Sequence, residues 1–517
     1  MEWTGRLARG LALLWLMLLV PGAARADPAD IDAAARGVVR VVIVEISGDE
    51  VIPISHGTGF AVGPERVVTN AHVVAEARED DELAIGIVPS DGTSAVYGRL
   101  VNVSQRNDLA LIATTTPMRL SPLTISGNAS ADSGSVTSVG YPMNVDRAQG
   151  LSMSDIFRAQ PPVKSTGSLA GRRPTRDFDS LLHTAPIARG SSGGPLLDEC
   201  GRVIGVNSFG AESSGAEAEF YFAVSARELL TFLHANDVTP QVNGMPCRSL
   251  ADLEAAERER AGRAQLTAQL RAEADEEALA RRREEERRGV EFALMAEREN
   301  GMALALALLI LALGAGGAAF VLHEHGDRQR LKIAGAVAGL AVGGALLAWV
   351  LRPGYDEVEG RLEELLHAEM EARDSGPVEV ATSGALVCVL DPERSRVTGA
   401  APEDLPFDWS PSGCVNSRTQ YGFADGSWSR VLVPGEEAVV SVNSFDPAAR
   451  EYRVERYLLD REAMDRARKA RGEFTAPACG ADRQAAVNLG ARQAAILSLL
   501  PERPNERLVY KCAAATK

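Results

Sequence analysis

Three hydrophobic patterns follow one another along the chain. From about residue 37 to residue 235, short β-branched and aliphatic runs alternate with Gly, Asn, Asp and Pro, which predicts many short strands. Residues 249–300 are dense in Ala, Glu, Arg and Leu, the composition of a solvated helix or a loose coiled coil. Two uncharged apolar runs, residues 302–322 and 333–351, are each long enough to span a bilayer. The pattern therefore predicts a multidomain protein with a β-rich part and a membrane-spanning helical part.

The first 26 residues have the three parts of a secretory signal peptide. Arg6 and Arg9 precede an apolar core at residues 11–20, and an Ala-Arg-Ala sequence ends at Ala26. The apolar core is short for a bilayer span, so we expect cleavage, with an uncleaved anchor as the alternative. In either case the following segment is expected outside the cytoplasm.

Charge predicts the orientation of the two apolar runs. The link between them, residues 323–332, carries Arg328, Arg330 and Lys332. Positively charged links stay in the cytoplasm, so we expect a two-helix hairpin whose flanking segments both lie on the exterior side.

Small residues recur in both apolar runs. Gly335, Gly339 and Gly343 repeat every fourth residue and would let another helix approach closely. The Gly314–Ala318 face of the first run is one possible partner. The alternative is that small residues are simply common in membrane helices.

The last part of the chain has a different pattern. After a charged helix predicted at residues 356–373, strand-like alternation runs from residue 377 to about Tyr457. Two helices are predicted next, at residues 458–471 and 483–500. Residues 377–517 are therefore expected to form a small α+β domain. No catalytic motif was found in it, and a binding or sensing role is the hypothesis.

Six cysteines and the net charge narrow the choice of function. No CxxC spacing of a zinc or redox site occurs, so we expect structural disulfides and an oxidising compartment. Three pairings are possible among the last four. A net charge of −16, without a basic patch, argues against a nucleic-acid partner. The candidate disulfide cysteines are Cys200, Cys247, Cys388, Cys414, Cys479 and Cys512.

A pair of serines flanked by glycines is the first candidate for chemistry. Glycines lose much backbone entropy on folding and occur where the chain turns tightly or where main chain must approach a ligand. A nucleophilic serine needs such crowding, because backbone N–H groups must point at the developing oxyanion. Ser192 is the expected nucleophile, with the N–H groups of Gly190 and Ser192 as the oxyanion hole. A Gly/Ser-rich surface turn is the alternative.

Two upstream residues favour the catalytic interpretation. His72 ends the β-branched run that starts at Val67, and Asp108 opens the apolar run that continues through Ile112. Acyl transfer by a serine requires a base and a carboxylate that orients that base. This chemistry needs neither a metal nor an organic cofactor.

Four motifs together resemble one protein family. They are His56-Gly57-Thr58-Gly59-Phe60, Thr69-Asn70-Ala71-His72-Val73, Asn107-Asp108-Leu109-Ala110 and Gly190-Ser191-Ser192-Gly193-Gly194-Pro195. In this order they resemble the chymotrypsin-fold serine proteases of the bacterial HtrA (Deg) type. The resemblance covers about residues 37–235. It implies two packed six-stranded β-barrels with the active site in the cleft between them, here within residues 27–240.

Departures from the family pattern carry further expectations. HtrA relatives usually continue into a PDZ module, which the charged helix replaces here. Ser191 stands where trypsins carry an Asp, so activation by zymogen cleavage is not expected. Pro186 stands where trypsin-like enzymes bind basic side chains, which predicts a small or aliphatic P1 residue. The expected pocket residues are Pro186, Ile187, Ala188, Asn207, Ser208 and Phe209.

Two local patterns concern the edges of this domain. Residues 143–161 form an insertion relative to the family. In the family such loops gate the oxyanion hole, and a surface decoration without effect is the alternative. Ser225 and Glu228 have the spacing of a capping box, which predicts a closing helix at residues 226–233.

The leading hypothesis is a serine endopeptidase anchored in the bacterial inner membrane. Its protease and C-terminal domains would lie in the periplasm, its partners would be protein or peptide substrates and membrane lipid, and it could form a homo-oligomer. Protein quality control and the regulatory cleavage of one substrate are both open. The alternative is a catalytically silent membrane scaffold or sensor that binds a partner through the C-terminal domain.

Overall fold

The computed structural model of the protein describes residues 28–515, except residues 49, 93, 128–132, 153–154, 175–177, 211–218, 326–327, 355–356 and 375–383. The signal peptide predicted at residues 1–26 lies outside the described residues. The chain divides into two compact units. One unit is Met1–Glu257 together with Thr382–Lys517, and the other is Arg258–Ala381.

A short helix leads into a closed six-stranded barrel. Its strand order is β1-β2-β3-β6-β5-β4, and its interior is filled by aliphatic side chains such as Val41, Ile87 and Ile112, all fully buried. The elements are α1 (Pro28–Ala35), β1 (Val38–Ser47), β2 (Glu50–Gly63), β3 (Arg66–Thr69), a 3-10 turn (His72–Val74), α2 (Ala75–Glu79), β4 (Leu83–Pro89), β5 (Val96–Ser104) and β6 (Leu109–Thr114).

A second barrel follows, closed by the pairing of β12 with β11 in the order β11-β8-β9-β10-β13-β12. The short strands β7 and β14 extend this sheet beyond β12. The predicted pair of six-stranded barrels is therefore confirmed. The elements are β7 (Ile125–Ser126), β8 (Gly134–Gly140), α3 (Met143–Ala148), a 3-10 turn (Asp155–Phe157), β9 (Val163–Arg172), β10 (Ser180–His183), β11 (Pro195–Leu197), β12 (Val203–Gly210), β13 (Tyr221–Ser225), α4 (Ala226–His234) and β14 (Val242–Asn243).

The two barrels share one apolar cluster. Phe60 and Leu111 come from the first barrel, and Tyr141, Leu197 and Val206 come from the second. Side chains alternate along a strand, so one face fills the barrel and the other packs against the neighbouring barrel. Burial of each such side chain contributes about 1.5–3 kcal/mol. An apolar core therefore joins the barrels and supports the loops at its edge.

The charged segment and the first apolar run form one continuous helix, α5 (Leu250–Glu324). The sequence predicted two elements, residues 249–300 and 302–322, but the structure has no break between them. Gly301 does not end the helix, because an isolated glycine costs only about 1 kcal/mol in a helix interior. Most side chains of the charged stretch are exposed, as expected of a solvated helix.

The second apolar run is helix α6 (Arg328–Val350). Both α5 and α6 contain a stretch that is long and apolar enough to cross a membrane. Small residues line their contact: Gly344 packs near Leu308, and Ala341 and Ala345 are buried.

The glycine repeat is not at this contact. Apart from nearby backbone of the same helix, no atom of the described residues lies within 4 Å of a Cβ placed on Gly335, Gly339 or Gly343, and the same holds for Gly314. The suggestion that the repeat packs on the Gly314–Ala318 face is therefore wrong for this hairpin.

A charged helix, α7 (Glu357–Asp374), packs against α5 outside the apolar stretches. Val358 of α7 joins Val290 and Leu294 of α5 in an apolar cluster, and Arg361 lies 3.3 Å from Glu297. The segments that flank the two apolar runs thus lie side by side.

The C-terminal part is an α+β fold built on a nine-stranded sheet, in the order β18-β17-β16-β15-β23-β22-β21-β20-β19. Aromatic side chains fill one buried cluster, in which Trp409, Phe445 and Tyr452 lie close to Phe407. The elements are β15 (Gly384–Leu390), β16 (Leu405–Trp409), β17 (Cys414–Val415), β18 (Thr419–Gln420), β19 (Gly422–Ala424), β20 (Ser427–Leu432), β21 (Val439–Asp446), β22 (Glu451–Leu458), α8 (Arg461–Gly472), α9 (Arg483–Leu497) and β23 (Glu506–Ala514).

All six cysteines are paired in disulfides. The pairs are Cys200 with Cys247, Cys388 with Cys512, and Cys414 with Cys479. The first pair ties the turn after β11 to the segment after β14. The second joins the neighbouring strands β15 and β23, where Cys388 and Cys512 are register partners. The pairing that the sequence left open among the last four cysteines is thereby defined.

The C-terminal fold belongs to the same compact unit as the barrels. Asp30 of α1 is 3% exposed and accepts hydrogen bonds from Arg396 and from Asn505, the latter at 3.0 Å. Asn243 of β14 donates to the carbonyl oxygen of Val397 at 2.7 Å. A buried charge pair therefore fastens the lead-in helix to the C-terminal domain, which the sequence had suggested only as a separate module.

Replacing Asp30 with Ala is expected to lower the free energy of unfolding of this unit by about 3–5 kcal/mol, because Arg396 would stay buried without its carboxylate. Denaturant unfolding of the purified protein in detergent measures the change. Arg119→Ala is the matched control, since it removes the exposed contact between Arg119 and Glu436 and should change stability little. Similar effects of the two substitutions would contradict the assigned role of Asp30.

Candidate active site

The three predicted catalytic residues lie on loops at the ends of strands. His72 begins the 3-10 turn after β3, Asp108 immediately precedes β6, and Ser192 lies in the turn before β11. Strands β3 and β6 are antiparallel neighbours, so the end of one lies beside the start of the other. Pairing of the strands thereby brings His72 next to Asp108.

The imidazole of His72 is held by the Asp108 carboxylate. Nδ1 of His72 lies 2.9 Å from Oδ2 and 3.0 Å from Oδ1, and the backbone N–H of His72 donates to Oδ1 at 3.1 Å. A carboxylate at this nitrogen favours the tautomer with hydrogen on Nδ1, which leaves Nε2 free to accept a proton.

Asp108 itself is fixed from two directions. Its backbone has φ of 52°, a conformation that few residues other than glycine adopt, and Asn70 Nδ2 donates to its carbonyl oxygen at 2.8 Å. Ser208 Oγ donates to Oδ2 at 2.5 Å. The sequence suggested Ser208 only as a pocket residue, and its contact with Asp108 could not be read from spacing along the chain.

The hydroxyl of Ser192 has an acceptor other than His72. Oγ donates to the carbonyl oxygen of Ser208 at 2.9 Å, and among the described residues it makes no hydrogen bond to His72. Ser208 therefore contacts both Asp108 and Ser192.

Two backbone N–H groups of the turn, those of Gly190 and Ser192, point to no acceptor among the described residues. Gly190 has φ of 97° and Gly193 has φ of 84°, a region that favours glycine. Both donors that the sequence predicted for an oxyanion hole are therefore available.

Thr58, in the first barrel, holds this turn; the sequence singled it out only as part of a family motif and did not predict these contacts. Its N–H donates to the Ser192 carbonyl oxygen at 2.9 Å, and its Oγ1 donates to the Gly190 carbonyl oxygen at 2.6 Å. Oγ1 also accepts from the N–H of Tyr141 at 2.9 Å. Position 58 needs a hydroxyl, because its oxygen donates to the Gly190 carbonyl and accepts from the Tyr141 N–H at the same time.

The expected pocket residues have unequal surroundings. Pro186, Ile187 and Ala188 are at least partly accessible. Phe209 is 46% exposed and stacks on Phe222 at 4.9 Å. The amide of Asn207 is instead buried and donates to Ser138 Oγ at 2.9 Å. Its side chain is therefore engaged with the barrel interior.

His183 is a fully buried imidazole at the end of β10 that the sequence did not single out. Its ring lies 5.8 Å from that of Tyr221, its partner in β13. Burial lowers the pKa of His183 to about 4, because the charged form would lose its hydration. The ring is therefore neutral near pH 7.

No group of three or more His, Cys, Asp or Glu side chains placed to hold a metal ion occurs among the described residues. The residues gathered at the junction of the barrels offer a base, a hydroxyl and two N–H donors. This set is suited to acyl transfer.

Comparison with known proteins agrees with this chemistry. Residues 57–206, which include His72, Asp108 and Ser192, match the family described as the trypsin-like peptidase domain. Serine protease HTRA2, mitochondrial, of Bos taurus is 31% identical over 214 residues, covering 40% of this chain and 43% of the relative. The "Probable periplasmic serine endoprotease DegP-like" of Brucella suis biovar 1 is 31% identical over 175 residues, covering 33% of this chain and 31% of the relative.

Serine protease Rv3671c of Mycobacterium tuberculosis is 32% identical over 176 residues, covering 32% of this chain and 39% of the relative. The solved structure of the active form of that protease aligns at a TM-score of 0.31 with 24% identity, covering 43% of this chain and 91% of that chain. The chain thus spans less than half the length of each of these three curated relatives.

Stability should fall as the pH drops from about 6.5 towards 4, by about 3 kcal/mol from His183 alone. In that window the unfolded state binds a proton at the ordinary histidine pKa, whereas folded His183 does not. The thermal midpoint of wild type compared with His183→Gln, measured from pH 7 to pH 4.5, tests this. His234→Gln, at an exposed histidine, is the control and should keep the wild-type slope. An unchanged slope in His183→Gln would refute the assignment.

Proposed function

Because residues 57–206 match the trypsin-like peptidase domain, we propose that the protein is a membrane-anchored serine endopeptidase of the HtrA type that acts through Ser192, His72 and Asp108. The observation that carries the proposal is the contact of His72 with Asp108 through both a ring nitrogen and a backbone N–H. Such a contact fixes the direction of Nε2, and a base that takes the serine proton needs that direction.

In the proposed reaction, His72 Nε2 removes the proton from Ser192 Oγ as that oxygen attacks a peptide carbonyl carbon. Asp108 stabilises the imidazolium that forms. The oxyanion of the tetrahedral intermediate accepts hydrogen bonds from the N–H groups of Gly190 and Ser192. The C–N bond then breaks, His72 gives its proton to the leaving amine, and water hydrolyses the acyl-enzyme by the same route.

Before this attack the Ser192 hydroxyl must leave the Ser208 carbonyl oxygen and turn towards His72. Catalytic hydrogen bonds are often long or unmade before substrate binds, so this geometry is compatible with activity. The same bond favours a second candidate, a catalytically silent membrane scaffold that binds a partner through its C-terminal domain.

We further propose that the protease and C-terminal domains lie in the periplasm of a bacterium and that α5 and α6 form a hairpin in the inner membrane. Three features support this. The link between these helices carries Arg328 and Arg330, and positively charged links stay in the cytoplasm. The packing of α7 against α5 supports a common side for the two flanking segments. Three disulfides suit an oxidising compartment.

The proposed substrates are proteins or peptides with a small or aliphatic P1 residue. Pro186 at the position that carries an Asp in trypsin-like enzymes offers no charge to a basic side chain. Quality control and regulatory cleavage both fit this chemistry. Comparison of the proteins cleaved in cells with wild type and with Ser192→Ala would identify the physiological substrate.

Ser192→Ala should lower the rate of peptide hydrolysis by about four decades or more and abolish labelling by a fluorophosphonate probe. Hydrolysis of a fluorogenic peptide and gel detection of the probe provide the two measurements. Ser191→Ala is the matched control, because it removes the neighbouring hydroxyl and should retain labelling. Absence of labelling in wild type under all conditions would favour the silent scaffold.

The proposed orientation predicts the labelling of introduced cysteines. A membrane-impermeant maleimide added to cells with a permeabilised outer membrane should miss His325→Cys in the link and label Ser498→Cys after α9. The native cysteines are all paired and should stay unlabelled. Lysed cells are the control, in which both variants should react. Labelling of His325→Cys without lysis would overturn the orientation.

A further inference from the structure

The segment that follows β8 holds the peptide bond before Gly190. The N–H of Met143, the first residue of α3, donates to the carbonyl oxygen of Arg189 at 2.7 Å. In a trans peptide the C=O and the following N–H point in opposite directions. A carbonyl held towards Met143 therefore turns the N–H of Gly190 to the opposite side, away from α3.

Helix α3 is itself fixed by a buried charge. Arg40 of β1 is 1% exposed, and its Nη2 donates to Asp146 Oδ1 at 3.0 Å. Its Nη1 donates to the carbonyl oxygen of Ile156 at 3.1 Å. The guanidinium also lies over the ring of Tyr141, with its carbon 4.6 Å from the ring centre. One cation of the first barrel therefore binds the insertion at both of its short helices.

His56 connects this charge pair to the turn that carries Gly190. Its Nε2 lies 3.2 Å from the Tyr141 carbonyl oxygen and 3.3 Å from Asp146 Oδ2. A Cβ placed on Gly190 would be 3.1 Å from the same nitrogen. Burial, and then the charge of Arg40, lower the pKa of His56. Because Nε2 faces two acceptors, the neutral ring must carry its hydrogen there.

We propose that Arg40, Asp146 and His56 are positioning residues for acyl transfer: they hold α3, and through Met143 they keep the Gly190 N–H directed at the oxyanion. The inference rests on the proposed endopeptidase function and deepens it. It also assigns a role to the insertion at residues 143–161, for which the sequence left gating and decoration equally open.

The alternative is that this network only stabilises the insertion. The two roles differ in their kinetic consequence. Loss of an oxyanion donor weakens binding of the transition state but not of the substrate, so kcat falls while KM stays the same. Loss of stability alone lowers the amount of folded enzyme and leaves the kcat per active site unchanged.

The test uses the purified full-length protein in detergent, with active sites counted by fluorophosphonate labelling. In His56→Phe the ring shape stays but the N–H is lost, and kcat should fall about 10²–10³-fold with KM within about threefold of wild type. His56→Gln, which restores a donor, should recover a large part of kcat. Affinity for a peptide aldehyde, which forms a tetrahedral adduct, should fall in parallel with kcat.

Two further variants guard against misfolding. Arg40→Met combined with Asp146→Leu removes both charges together and should give the same loss of kcat. This double variant replaces His56→Phe in the test if His56→Phe does not fold. Arg147→Gln changes the exposed neighbour of Asp146 on α3 and should match wild type.

Hydrogen exchange of residues 186–194 provides a readout that does not depend on activity. Faster exchange of this stretch in His56→Phe than in Arg147→Gln is expected. Wild-type kcat and wild-type exchange in the folded variants would overturn the inference. If wild type shows no Ser192-dependent hydrolysis, the proposed function fails, and the exchange comparison still decides whether these residues hold the turn.

Discussion

The structure of the candidate site depends on close contact between main chains at the junction of the barrels. A Cβ on Gly190 would lie 2.3 Å from the Tyr141 carbonyl oxygen, and one on Gly193 would lie 2.2 Å from the carbonyl oxygen of Thr58. A Cβ on Gly194 would meet a third carbonyl oxygen at 2.3 Å. Contacts this short leave no room for any side chain. Gly193 therefore lets the turn lie directly on Thr58 of the first barrel, whereas Gly190 and Gly194 let it lie against the main chain in and after β8 of its own barrel. These contacts together position Ser192.

Features encoded by local sequence could be predicted. The short strands follow from β-branched runs, and their arrangement in two barrels was implied by the family resemblance. The helix after β13 begins where the capping spacing predicted it, with the N–H of Glu228 donating to Ser225 Oγ. The sequence also predicted His72 and Asp108 as partners, and the structure brings them into contact. Among the described residues, however, the Ser192 hydroxyl donates to the Ser208 carbonyl oxygen and makes no hydrogen bond to His72, which the hypothesis requires.

Features that depend on residues far apart in the chain could not be predicted. Arg40 lies in the middle of an apolar strand, and its partner Asp146 is 106 residues away. The contact of Asp30 with Arg396 spans 366 residues. Neither pair leaves a periodic signal, because each side chain meets its partner only after the strands have paired. The uninterrupted helix through Gly301 was missed for the opposite reason: a change in composition suggested a boundary where the backbone has none.

The bond from the Thr58 N–H to the Ser192 carbonyl oxygen has a consequence for how such a molecule could be switched on and off. This bond joins the two barrels at the residue that carries the candidate nucleophile. The barrels therefore cannot separate without breaking it and displacing the backbone of Ser192. Regulation of activity that keeps this bond would then depend on movement of the surface loops around two barrels of fixed relative position.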